Sequence, residues 1–168
     1  MYNAFAKKYP ALALDLNTDI EVFPVSSLNH QGTTVYAIWD TGASQTVITH
    51  RLMSHLNLIP IETKLVHGIN SKQMVDVVAI SIKLPNGLLI PDIRVFVCDI
   101  PSPIDLLIGM DIIQMGDFHI SNTGGRTLFS FVLPPLPEPF DLTQEGGYAE
   151  QSGVKDVVPV TKSVTKTP

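Results

Sequence analysis

The chain has one cysteine, Cys98, in 168 residues. It can form no internal disulfide and no Cys-rich metal site, and a reducing compartment suits it. Charge is also scarce: 16% of residues are charged, with 11 basic against 16 acidic side chains and a formal net charge of −5. There is therefore no basic field to gather phosphates, which argues against nucleic acid as a partner. Nor is there a stretch of roughly 18 uncharged apolar residues, so no membrane helix is expected. The opening residues, MYNAFAKKYPALALDLNTD, are interrupted by Pro10, Asp15 and Asp19, where a signal peptide would need a sustained apolar run. These absences predict a soluble, cytoplasmic protein with no membrane partner. His50 and His55 are not spaced i, i+4 and have no carboxylate or cysteine close in sequence, so no metal is expected.

Apolar material is plentiful at 45% of residues, enough for a sizeable core. The length suits one domain with tails, since domains of about 100–150 residues are commonest. We place that domain at 19–133, after an N-terminal extension, 1–18. The segment 134–168 is rich in Pro, Gly and hydroxyl residues without usable periodicity, as expected of a flexible tail.

Within the domain the pattern is β. Two β-rich runs flank the polar Ser26–Gly32 segment between Asp19 and Asp40, as in a hairpin. Val35–Trp39 runs apolar into Asp40 and predicts a core strand buried on both faces. Thr49 can cap a short helix reaching about Asn57, with Pro60 beyond its end. Glu62–Gln73 and Met74–Leu84 predict a long hairpin with a polar tip at Gly68–Lys72. Pro85–Gly87 marks a turn before a strand at Leu88–Cys98. A second apolar run, Leu106–Ile108, ends at Gly109 and is followed by a helical turn at Asp111–Met115. Asn122–Leu133 predicts a turn and a closing strand.

The chemistry concentrates in Ala37–Ser44, AIWDTGAS, where a core strand delivers a carboxylate, a hydroxyl and a glycine in a tight turn. A carboxylate at the end of a buried strand is costly unless compensated, and such groups cluster at functional sites. Asp40-Thr41-Gly42-Ala43-Ser44 resembles the catalytic loop of the retropepsin-like aspartic peptidases. Leu107-Ile108-Gly109, 109 − 40 = 69 positions downstream, resembles their second element, two apolar residues and a glycine that thread past that loop. The two matches in order span about Val22 to Leu133. The wording LPNG, LLIGMDII, GDFHISN and TLFSF is most similar to single-domain bacterial or phage-type members.

The resemblance implies an all-β, retropepsin-like closed barrel or sandwich with one or two short helices, one lobe per chain, active as a homodimer. Only one DTG is present, whereas the chemistry needs two carboxylates sharing a proton. Two copies of Asp40 on a two-fold axis would supply them. The implied activity is an aspartic endopeptidase acting on a protein or peptide substrate, without a cofactor. Thr41 would lock the two loops together across the axis, Gly42 would offer backbone groups to substrate, and Ala43 and Ser44 would complete the loop. His67, Gly68, Ile69 and Asn70 fall where the family carries its flap.

Several residues also have plainer readings. Ser44 stands where retroviral enzymes have Asp, and Met110-Asp111 where they have Arg-Asn, so the ion pair between those positions cannot form here. Asp111 is expected to cap the following helical turn. Trp39 alternates away from Asp40 and is expected to pack in the core. Cys98 reads as a small buried apolar residue. The competing functional class is a non-catalytic dimeric module that binds peptide on the same fold.

Overall fold

The computed structural model describes residues 2–25, 32–67, 72–139 and 141. The chain divides into two units, Met1–Leu136 and Pro137–Pro168, and the described strands and α-helices lie in the first. They are β1 (Asn3–Lys8), β2 (Asn17–Pro24), β3 (Thr33–Trp39), β4 (Val47–Ile48), α1 (His50–His55), β5 (Glu62–His67), β6 (Lys72–Lys83), β7 (Leu89–Val97), β8 (Leu106–Ile108), α2 (Met110–Ile113), β9 (Asp117–Ser121) and β10 (Leu128–Leu133). Among the described residues, no helix is long and apolar enough to cross a membrane.

Six strands close on themselves. β2 and β3 form an antiparallel hairpin, Asn17 opposite Ile38 and Val22 opposite Thr33. β3 then pairs in parallel with β8, and β8 antiparallel with β4. β4 runs parallel to β7, and β7 pairs antiparallel with β6. The far half of β6 returns to β2, Glu21 opposite Lys83 and Pro24 opposite Ile80, which closes the barrel. The near half of β6 instead pairs with β5, Glu62 opposite Val77 and His67 opposite Lys72. The barrel is filled from alternate positions on its walls: Ile20 and Val22, Val35 and Ala37, Val78 and Ile80, Val95 and Val97, Leu106 and Ile108. Burying each of these valines, leucines and isoleucines contributes about 1.5–3 kcal/mol before conformational entropy is counted.

Outside the barrel a three-stranded sheet has the order β1-β10-β9, antiparallel throughout. Five aromatic rings join it to the barrel. Trp39 lies 4.9 Å from Phe131, 5.3 Å from Phe129, 5.8 Å from Phe5 and 6.1 Å from Phe118, centroid to centroid. The Trp39 indole N–H donates to Thr18 Oγ1 at 2.9 Å, so its polar edge is satisfied inside the core as buried indoles require.

The predicted helix, both central hairpins and the turn at Pro85–Gly87 are all present, with Thr49 Oγ1 accepting the Leu52 N–H as N-cap. Four readings change. Residues 1–18 are not simply an extension: they hold β1, the start of β2 and Phe5, which packs on the core. β3 is not buried on both faces, because Tyr36 and Ile38 are only half-buried between buried Val35, Ala37 and Trp39. Asn122–Leu133 does supply a strand, but β10 builds the outer sheet and the barrel is closed by β2 on β6. β9, unassigned from sequence, lies beside β10. Its residues Asp117–Ser121 show no buried alternation, so no period-2 signal marks it.

Candidate active site

Asp40 is the first residue after β3, and its position is set by the strand beside it. Its N–H donates to the Ile108 carbonyl at 2.8 Å, extending the parallel β3–β8 ladder by one residue. The chain then turns sharply. Ala43 N–H reaches back to the Asp40 carbonyl at 3.2 Å, and Gly42 N–H donates to the Asp40 carboxylate Oδ1 at 2.8 Å. A Cβ added to Gly42 would stand 3.1 Å from that oxygen, so a side chain there would crowd the carboxylate. Thr41, Gly42 and Ser44 are exposed, and Asp40 and Ala43 are half-buried. The loop thus presents its carboxylate outward.

Its underside is pinned by the second motif. Leu107 is half-buried, while Ile108 and Gly109 are buried. A Cβ on Gly109 would fall 2.5 Å from the Gln45 carbonyl carbon and 2.6 Å from its oxygen, so only glycine lets the two backbones cross. Met110 N–H donates to the Ala43 carbonyl at 2.8 Å, and Gly109 N–H to Thr46 Oγ1 at 3.1 Å. Thr46, fully buried, donates that hydroxyl to Asp111 Oδ1 at 2.7 Å and its N–H to Oδ2 at 3.0 Å. Asp111 is therefore not the N-cap expected of it: Gly109 starts α2 without a side-chain cap, and the carboxylate braces the Asp40 loop instead. Thr46 was missed by the sequence reading.

A second brace holds the loop 99–105 ahead of β8. Arg51 donates from Nε and Nη2 to Asp105 Oδ1 at 3.0 and 2.7 Å, and Thr49 Oγ1 donates to the same oxygen at 2.8 Å. His50 Nδ1 lies 3.0 Å from Asp99 Oδ1, a carboxylate 49 positions away that the fold brings beside it. The pair is exposed, and among the described residues no three His, Cys, Asp or Glu side chains gather as a metal site would need. Cys98 is half-buried, and burial, with Asp99 beside it, pushes its thiol above the ordinary range. A nucleophilic thiol would need the opposite shift.

Of the residues read as a flap, His67 ends β5, and Gly68, Ile69 and Asn70 lie outside the described residues. Beside Asp40 a groove of about 490 Å³ opens between the segment 13–16 and β9, with Asp40, Thr41, Leu14, Ile38 and Phe118 among its walls.

A six-stranded barrel whose Asp-Thr-Gly turn is threaded by a glycine-ended strand is the retropepsin-like fold. A sequence profile described as Aspartyl protease matches residues 26–112, and the chain belongs to that family. In structure it is similar to a retropepsin-like aspartic protease from Rickettsia conorii, with 17% identity, a TM-score of 0.52, and coverage of 79% of this chain and 96% of that one. It is also similar to the EIAV protease in complex with the inhibitor HBY-793 (23% identity, TM-score 0.46, coverage 61% and 88%). A third likeness is to the retroviral protease-like domain of Ddi1 from Leishmania major (16%, 0.48, 70% and 95%). No curated protein matches the chain.

Proposed function

We propose that the protein is an aspartic endopeptidase whose active site is assembled from two copies of Asp40 in a homodimer. One observation carries this reading: the Asp40 backbone is fixed by its N–H to the Ile108 carbonyl and its carboxylate by the Gly42 N–H, on a loop braced from below. Such rigidity at an exposed acidic turn costs stability with no structural return, and fits a group that must meet a reacting atom in fixed geometry. One Asp40 would deprotonate a shared water as it attacks the peptide carbonyl, and the other would protonate the carbonyl oxygen. Thr41, exposed beside Asp40, would bond the second loop across the axis, and Gly42 would approach the substrate backbone. The hairpin of β5 and β6 would cover the bound peptide. No cofactor enters this chemistry, and the lone cysteine suits a reducing, cytoplasmic setting.

The test is a diverse peptide mixture incubated with the full chain from about pH 3 to 8, with Asp40→Asn in parallel and light scattering on both. Cleavage should be lost by at least about 10²–10⁴-fold in the variant, the range of acid–base contributions, while assembly persists. Two coupled carboxylates predict a bell-shaped pH profile. A wild-type dimer that cleaves nothing across that range would point instead to a peptide-binding module.

A further inference from the structure

We infer that the two copies meet through an apolar face beside Asp40, led by Leu14 on the segment that joins β1 to β2. This inference rests on the two-chain reading of Asp40 and names the surface that would bring the chains together.

Leu14 is 100% exposed and Leu12 60%, while Ile120 on β9 is 44% exposed. Isolated exposed leucines are ordinary, but here the segment that carries them is not a loose loop. Tyr9 N–H donates to the Thr127 carbonyl at 2.8 Å, Thr127 N–H to the Ala11 carbonyl at 3.1 Å, and Ala13 N–H to Thr127 Oγ1 at 2.9 Å. At its far end Trp39 N–H, one residue before Asp40, donates to the Leu16 carbonyl at 2.8 Å. Backbone bonds thus fix the segment along its length and tie it to the catalytic strand, yet Leu14 is left wholly in water. Rigid presentation of an apolar side chain lowers the ordering cost of association.

The face is continuous with Asp40 itself. Leu14, Leu16, Ile38, Ile120, Asp40 and Thr41 line one groove. A second copy that brings its own Asp40 to share a proton must cover ground next to that groove, and a two-fold contact uses the same patch on both partners. Two carboxylates at close range repel, and the groove carries Asp15 as well. Apolar burial must therefore offset the charge, and each leucine is buried twice in a symmetric pair.

The experiment compares the full-length wild type with Leu14→Asp, and with Ile59→Asp as a control on another exposed apolar site, 81% exposed beyond α1. Dimer dissociation is followed by sedimentation over a wide concentration range, and peptide cleavage is measured at the same concentrations. Leu14→Asp should weaken the dimer at least about tenfold, with the melting transition of the monomer unchanged because Leu14 packs on nothing in its own chain. Cleavage per chain should fall at low concentration and recover as concentration rises. Ile59→Asp should do neither. The inference is overturned if the wild type stays monomeric throughout, if Leu14→Asp dimerises as the wild type does, or if Ile59→Asp disrupts the dimer instead. A variant that dimerises normally but binds peptide more weakly would mark the groove as a substrate site, and overturn it too. If Leu14→Asp splits a dimer that never cleaves peptides, the face is established and the peptidase reading falls. If both cleave alike at every concentration, the reverse holds.

Discussion

The carboxylate of Asp40 owes its placement to residues that have no side chain to spare. Gly42 leaves room beside its oxygen, and Gly109 leaves room beneath its loop, where a Cβ would sit within 2.6 Å of the Gln45 carbonyl. The obstacle at Gly109 is backbone rather than the tip of a flexible side chain, so the strain cannot be relieved by a rotamer change. Gly109→Ala should cost at least about 1–3 kcal/mol, as overpacked sites do, read as a shift in the urea midpoint. Cleavage should fall further than that loss of folded protein accounts for, because the displaced segment carries Asp40. An alanine variant with wild-type stability would show that the two backbones are free to separate. Asp40 and Gly109 are legible in the sequence because their chemistry is local: an apolar run, then an acid or a glycine at a forced turn. Thr46 and Asp111 are not, since 65 residues separate them and nothing local shows that a buried hydroxyl will find that carboxylate. The helical capping rule offered Asp111 a nearer partner, and the tertiary contact won.

Elements show the same division. The hairpins of β2 with β3 and of β6 with β7, and the cap on α1, follow from period-2 runs and turn residues that the sequence displays. β1 does not, because Asn3–Lys8 has a single large apolar residue, Phe5, among alanines and lysines, too little for an alternation signal. Its strand form comes from its partner: all six residues pair with β10, from Asn3 opposite Leu133 to Lys8 opposite Leu128. Phe5 then reaches Phe129 edge-on at 5.6 Å and Trp39 at 5.8 Å. Phe5→Ala should cost about 2–3 kcal/mol, somewhat under the roughly 3–5 kcal/mol of a fully buried phenylalanine, because the ring is half-buried. Thermal or urea unfolding would measure it. A negligible change would mean that the first strand is dispensable, as an N-terminal extension would be.

At the scale of the whole molecule, the barrel exists only if β2 finds β6. That seam is marked by an ion pair in register, Lys83 with Glu21 across opposed residues. The hydrogen bond from Lys83 holds the Glu21 carboxyl below its ordinary value, with Coulombic attraction and the Gly32 N–H adding to the effect against some desolvation. A carboxylate whose pKa is depressed by folding stabilises the fold above its unfolded value, and the contribution is lost as pH falls through the folded value. Glu21 therefore supports closure at neutral pH and stops doing so once pH falls through its depressed folded value. Glu21→Gln should melt earlier than wild type at neutral pH and approach it in acid, below the depressed Glu21 value; an equal deficit at both would assign the effect to packing rather than charge.

The threading of Gln45–Thr46 over Gly109 also imposes an order of events on biosynthesis. Asp40 leaves the ribosome 69 residues ahead of Gly109 (109 − 40 = 69), and until β8 follows, its N–H lacks the Ile108 carbonyl and Thr46 lacks its carboxylate. Contacts this distant in sequence form late, because loop closure must precede them. An emerging chain thus carries its acidic turn without its underside for 69 residues of synthesis, and a fragment that ends before Leu106 keeps only the turn's own bonds from Gly42 and Ala43. The strand that completes the setting of Asp40 is thus β8, the last of the six barrel strands in chain order.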